Sequence, residues 1–226
     1  MKLFLKDKKE LFEDVISFSF NPENKISWIP GQFLQYYLEI DNPDDRGSDR
    51  FFTIASAPEE ETILLTTRFF QRGSKFKEEL RNLNIGDSIT AEGPWGNFVL
   101  NSGNIYENIF FIAGGIGITP FRSIIKSLEL NNKNLPITLL YSNKNGEVVY
   151  KDYFDSNKDI NVIYNTGILD ENVIKSNIDG VNVSNSIFYI SGPEPFVKNI
   201  KSILLDAFNI DNQLIKIDYF PGYDMD

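Results

Sequence analysis

The chain has 226 residues, 42% hydrophobic and 14% aromatic, which is enough to fill one large core or two smaller ones and too apolar for a disordered chain. Acids outnumber bases 32 to 22, and the formal net charge of −10 opposes binding to nucleic acid or anionic lipid, so no nucleic-acid partner is expected. With no cysteine and no histidine, disulfides, thiolate-held zinc, iron–sulfur clusters and imidazole bases are excluded from this chain, and no metal site is expected.

The opening MKLFLKDKKELFEDV is charged throughout and has no apolar core of signal length. No stretch approaches the roughly 18 apolar residues of a membrane-spanning helix, so the expectation is a cytoplasmic protein without a transmembrane segment. KLFLKDKK reads either as a basic patch for a partner or as a solvated edge strand. Strands follow at DVISFSF, QFLQYYLEI, RFFTIAS and TILLTTRFF, rich in aromatic and β-branched residues and separated by Gly/Pro/Asn/Asp turns. KFKEELRNL predicts a short helix with Ser74 as its N-cap, and SITAEG one more strand. Closely spaced strands of this kind predict a small antiparallel β-barrel.

After residue 104 the pattern changes to alternation. IFFIAGG, PITLLYS, INVIYNT, SIFYISG and LIKIDYF are apolar runs, interleaved with the helical stretches TPFRSIIKSLEL, LDENVIKSN and EPFVKNIKSILLDAF. Fully apolar strands alternating with helices predict a parallel sheet covered on both faces. The expected organisation is therefore an antiparallel barrel over residues 1–104 and an α/β domain over residues 105–226.

Three segments carry candidate chemistry. In FIAGGIGITPF a buried strand runs into Gly114, Gly115 and Gly117 before a helix with Thr119 as N-cap and Pro120 in its first turn. Glycines allow close backbone approach to a phosphate, and a helix N-terminus offers unpaired N–H groups. YISGPEPFV repeats the arrangement with Ser191, Gly192 and Pro193; alone it is an ordinary turn, beside the first it becomes a second wall of a dinucleotide pocket. At the end of the PITLLYS strand, Ser142 and Lys144 stand where an NAD site often carries an acid, which favours NADP(H) over NAD(H), although a solvated lysine explains Lys144 nearly as well. In the first half, Arg50 suits a pyrophosphate, and Ser74 after Gly73 sits at an anion-binding helix start.

Taken in order, RFFT, RGSKFKEEL, GPWGNF, AGGIGITP and KIDYFPGY resemble the motifs of the ferredoxin–NADP reductase superfamily over about residues 5–223. The resemblance implies a flavin-binding barrel followed by a nicotinamide-nucleotide domain, with FAD preferred to FMN and NADP(H) or NAD(H) as substrate. By position it implies that Arg50 binds the flavin pyrophosphate, Phe52 packs on the isoalloxazine and Thr53 reaches flavin N5, while Gly73 and Ser74 hold phosphate. Gly114, Gly115, Gly117, Thr119 and Pro120 would form the nucleotide loop, and Gly192 and Pro193 would wall the nicotinamide. Ser191 replaces the cysteine of many relatives; Asp218 is either a proton-relay acid or a surface carboxylate; Phe220 and Tyr223 are both candidates to cover the flavin. Phe51, alternating away from Phe52, is expected in the barrel core.

The implied activity is hydride transfer from nicotinamide to FAD N5, then single electrons to a protein acceptor such as ferredoxin or flavodoxin. Two alternatives stand beside it: an electron-transfer subunit of a multicomponent complex, and a non-catalytic nucleotide-sensing domain. Any one-electron centre lies on a partner, a small electron-carrier protein or a redox-complex subunit.

Overall fold

The structure, a computed structural model, describes residues 1–70, 73–100 and 106–220. It divides into two units, each built on its own sheet: Met1–Leu100 with Arg122–Leu130, and Asn101–Phe121 with Asn131–Asp226.

Unit 1 carries strands β1 (Lys2–Phe12), β2 (Val15–Pro22), β3 (Phe33–Tyr37), β4 (Asp49–Thr53), β5 (Ile63–Arg68) and β6 (Ser88–Trp95) in the order β4-β3-β6-β1-β2-β5. Every neighbouring pair is antiparallel. The end strands β4 and β5 also meet, linked just past β4 by Ala55 N–H donating to the Leu64 carbonyl (2.8 Å), so the sheet curls toward a barrel. β1 is a correction to the sequence reading: the lysine-rich start is not an edge strand, but lies between β6 and β2. Its charges mask a period of two, with Leu3 and Leu5 buried and Lys2, Phe4 and Lys6 turned outward.

Alternation also decides β4. Directly opposed residues share a face, and Phe52 stands opposite buried Leu34 whereas Phe51 stands opposite Gln35. Phe52 therefore packs on Tyr36 and Phe76, at ring distances of 5.7 and 6.1 Å. Phe51, expected in the core, is 56% exposed, against Phe33 at 5.7 Å. The alternation is real; the face assigned to it was the wrong one. Helix α1 (Lys75–Asn82) starts as expected at Ser74, whose Oγ accepts from Lys77 N–H (3.3 Å), and it buries Phe76 and Leu80 one turn apart.

Unit 2 carries β7 (Asn108–Gly114), β8 (Ile137–Asn143), β9 (Asn161–Thr166), β10 (Ser186–Pro193) and β11 (Ile215–Phe220), all parallel, in the order β11-β10-β7-β8-β9. The helices are α2 (Thr119–Leu130), α3 (Lys151–Ser156), α4 (Glu171–Ile178) and α5 (Glu194–Asp206), with α2 from Arg122 onward grouped in unit 1. β7 and β10 are buried nearly end to end because both of their faces are covered. On one face Phe110 stacks on Phe188 at 4.9 Å; on the other Phe111 stacks on Phe121 at 4.6 Å and meets Tyr189 edge-on at 5.6 Å. The chain builds outward from β7 through β8 to β9, then returns to the other side of β7 with β10. That reversal makes the carboxyl ends of β7 and β10 the switch point of the sheet, the place where open α/β sheets bind ligands.

Candidate functional site

In unit 1 the candidate residues gather where β4 faces the start of α1. Arg50 stands opposite Tyr36 on the core-facing side of β4, its guanidinium 5.5 Å from the Phe76 ring centre. Nη1 donates to the carbonyl of Arg46 (2.7 Å) and to that of Asp49, which aims the guanidinium. Nη2 is buried and has no hydrogen-bond partner, although the Asp44 carboxylate lies 3.9 Å away. Loss of solvation lowers the Arg50 pKa, partly countered by Asp44. Thr53, at the end of β4, is buried. Gly73 presents its carbonyl to Arg46 Nη2 (3.1 Å), and the buried Ser74 hydroxyl is engaged in capping α1.

Asp44 has no candidate role in the sequence analysis above. Its Oδ2 accepts from the backbone N–H of Lys75 (2.8 Å), the first residue of α1, and from Arg46 Nη2 (3.0 Å); Oδ1 accepts from Arg46 N–H (3.1 Å). The Lys75 bond, ahead of those from Arg46, holds the Asp44 pKa below the usual carboxylate value. The one signal for it in the sequence is the charge density of DDRGSDR, a composition that reads equally as a plain turn.

In unit 2 the glycine turn and the Ser191 turn interlock. A Cβ at Gly117 would come within 2.2 Å of the Ser191 carbonyl oxygen, and one at Gly114 within 2.7 Å of the Phe196 ring. A Cβ at Gly192 would meet the same ring at 2.9 Å. These three glycines are thus required by packing, and Phe196, read only as a helix residue, is the wedge between the two turns. Gly115 differs: it has φ +54°, with nothing within 4 Å of an added Cβ, and so offers open space to a ligand at a left-handed backbone position. A short 3-10 turn, Gly115–Ile118, leads into α2, and no side chain caps its start. Thr119 is accordingly not the N-cap the sequence suggests. It has helical dihedrals and its hydroxyl donates back to the Ile116 carbonyl (3.2 Å), leaving the N–H groups at the Gly115 end uncapped by any side chain; Pro120 follows within α2.

Ser191 and Asp218 sit side by side in the β10–β11 register, with Ser191 Oγ donating to Asp218 Oδ2 at 3.4 Å. Ser191 is fully buried, Asp218 half-buried. Desolvation pushes the Asp218 carboxyl up to about 6, only partly opposed by the serine hydroxyl. Pro193 closes β10 opposite Phe220, in register across the β10–β11 pair. Ser142 is buried, with its hydroxyl donating to the Gly167 carbonyl (2.8 Å) and accepting from Asn165 Nδ2 (3.1 Å), while Lys144 is exposed. Tyr223 lies outside the described residues.

Residues 2–100 match the oxidoreductase FAD-binding domain family, and residues 111–202 the oxidoreductase NAD-binding domain family. A flavohemoprotein of Candida albicans is 27% identical over 94% of this chain and 57% of its own length. The electron transfer component of 2-halobenzoate 1,2-dioxygenase from Burkholderia cepacia is 27% identical over 81% of this chain and 56% of its own length. The chain thus spans little more than half of the length of these relatives. The FAD/NAD-binding domain of nitric oxide dioxygenase from Vibrio cholerae shares the fold at a TM-score of 0.77 and 19% identity, covering 97% of this chain and 98% of that one. With an antiparallel-sheet unit followed by a parallel-sheet unit and a family match on each, the chain belongs to the ferredoxin–NADP reductase superfamily. It carries an oxidoreductase FAD-binding domain followed by an oxidoreductase NAD-binding domain.

The residues present fit both cofactors. The buried Nη2 of Arg50, paired with Asp44 only at 3.9 Å, has a hydrogen bond to give an anion, and the uncapped turn at Gly115 is a backbone cradle that a side chain would obstruct. No helix among the described residues is long and apolar enough to cross a membrane.

Proposed function

We propose that this reductase moves hydride from NADPH or NADH to FAD and hands electrons one at a time to a protein acceptor, a ferredoxin or flavodoxin. The flavin, when bound, supplies the two-electron to one-electron conversion; the protein supplies binding, orientation and electrostatics. Arg50 would hold the flavin pyrophosphate through Nη2, with Gly73 and Ser74 shaping the same turn. Phe52 would flank the isoalloxazine and Thr53 would serve its N5 edge.

On the nucleotide side, the Gly115 turn would take the phosphates, with Pro120 setting the first turn of α2. Gly192 and Pro193 would line the nicotinamide, and Phe220 or Tyr223 would cover the flavin ring. Ser191 and Asp218 form a hydroxyl–carboxyl pair able to hold a proton near neutral pH. Support for a 2′-phosphate preference comes from Lys144, since the Ser142 hydroxyl is already bonded to protein partners. The observation that carries the reading is the pair of interlocked turns at the ends of β7 and β10, beside Ser191 and Asp218.

A second reading, an electron-transfer subunit of a larger redox assembly, draws on the relative named as a dioxygenase electron transfer component. The test is an absorbance spectrum of the purified protein, anaerobic addition of NADPH and NADH, and then reduction of ferredoxin, flavodoxin or a co-purifying partner. Bound flavin that neither nucleotide bleaches overturns the proposal. Arg50→Ala is expected to lose flavin while keeping its circular-dichroism spectrum, and tight flavin binding by that variant removes Arg50 from the site.

A further inference from the structure

We propose that Asp44 is an internal anion that holds the phosphate position of unit 1 and must be displaced when flavin binds; the inference rests on the flavin reading above. Donors from three residues, of a kind that suits a phosphate, converge on this one carboxylate. They are the Lys75 N–H at the start of α1 (2.8 Å), Arg46 through Nη2 and its own N–H (3.0 and 3.1 Å), and the Arg50 guanidinium at 3.9 Å. A carboxylate at a helix N-terminus, flanked by two guanidinium groups, reproduces the charge and acceptor pattern of a phosphate edge.

The arrangement is incomplete as an ion pair. Arg50 Nη2 is buried without a hydrogen bond, so Asp44 neutralises it at a distance without satisfying it. A diphosphate that reached Nη2 and the Lys75 N–H would stand within bonding distance of the donors that Asp44 now uses. Two anions cannot share those donors at such separations without strong repulsion. Asp44 belongs to the β3–β4 connection, which turns at Asn42 (φ 55°) and Gly47 (φ 73°), so one side chain can swing out without unpairing either strand. Arg46 then passes from Asp44 to the ligand, which makes it a phosphate-binding residue of the loaded protein alongside Arg50.

A plain helix-capping role makes a different prediction. If Asp44 only capped α1, removing its charge would lower stability and leave flavin affinity alone. An internal anion gives opposite signs: a less stable flavin-free protein and tighter flavin binding. Flavin-free wild type, Asp44→Asn and Asp44→Ala are titrated with FAD, with riboflavin, which lacks phosphate, and with inorganic pyrophosphate followed by thermal unfolding. Both variants are expected to bind FAD about tenfold more tightly, the scale of one charge-assisted hydrogen bond, with riboflavin affinity unchanged. Pyrophosphate is expected to raise the unfolding temperature of Asp44→Asn more than that of wild type.

FAD affinity that is unchanged or weaker in both variants, with pyrophosphate acting no more strongly on Asp44→Asn, overturns the proposal and leaves the flavin reading standing if wild type binds FAD. FAD bound by none of the three proteins, with pyrophosphate still stabilising Asp44→Asn selectively, upholds the internal anion and overturns the flavin reading.

Discussion

At the scale of single residues, the sharpest consequence belongs to Asp218. Its carboxyl has a pKa raised from 3.8 to about 6 by desolvation, so the folded state binds that proton more tightly than the unfolded chain does. The stability this provides is complete below pH 3.8 and is lost as pH rises through about 6. Replacing the carboxylate with an amide removes the penalty of ionising it. Asp218→Asn is therefore expected to stabilise unit 2 by about 1–2 kcal/mol at pH 8 and by nothing near pH 4. Denaturant midpoints of both proteins at the two pH values check this, and equal gains at both would place the effect elsewhere. The glycines give a second residue-level prediction. Gly117→Ala drives a Cβ onto the Ser191 carbonyl and should cost several kcal/mol, well beyond the 1 kcal/mol or so of strain at Gly115→Ala, where there is room but φ is positive. Thermal unfolding of the two variants should rank them in that order, and the reverse ranking would show that the two turns do not interlock.

At the scale of elements, the short turn after β4 depends on a charged pair carried by α2. Arg122 donates through Nη2 to Glu60 Oε1 (2.7 Å), through Nη1 to the same carboxylate, and through Nη1 to the Ala55 carbonyl (3.0 Å). Ser123 adds a bond to the Ser56 carbonyl (2.6 Å). Removing one member of a largely buried pair takes the counter-charge from the other, so Glu60→Ala is expected to destabilise unit 1 by about 3 kcal/mol, measured as a shift in chemical unfolding. A loss under about 0.5 kcal/mol would mean the pair is solvated. This contact also marks the limit of what the sequence reveals. Helices α1 and α2 and the parallel strands β7 and β10 were legible, because Ser74, the apolar runs and the Gly/Pro punctuation are local signals. Arg122 meeting Glu60, 62 positions away, is non-local. Phe51 was misassigned because a period of two names two faces without saying which is inward. β1 was missed as an interior strand because its lysines hide Leu3 and Leu5. At the candidate site the glycine turns were readable as a phosphate loop, but that three of those glycines answer to packing needed Phe196 and Ser191 in place.

At the scale of the whole molecule, the net charge of −10 governs encounters more than fold. An acidic carrier such as a ferredoxin or flavodoxin is repelled at long range, and screening shortens that range from about 30 Å at 0.01 M salt to about 10 Å at 0.1 M. Electron transfer to such an acceptor is expected to accelerate over that interval in stopped-flow measurements. A rate that falls steeply instead would indicate a local basic docking patch prevailing over the global charge, or a basic partner.

Helix α1 has a further consequence. Only eight residues long, it is too short to persist in water by itself. It is gripped at both poles by other parts of the chain: Asp44 on the Lys75 N–H at one end, and Lys8 of β1 donating to the Arg81 carbonyl at the other. Its amide protons should consequently exchange with solvent together, as one cooperative segment, rather than fraying from one terminus. The rate of that shared opening then becomes a clock for events at the Asp44 end, readable by deuterium uptake with no chromophore and no turnover.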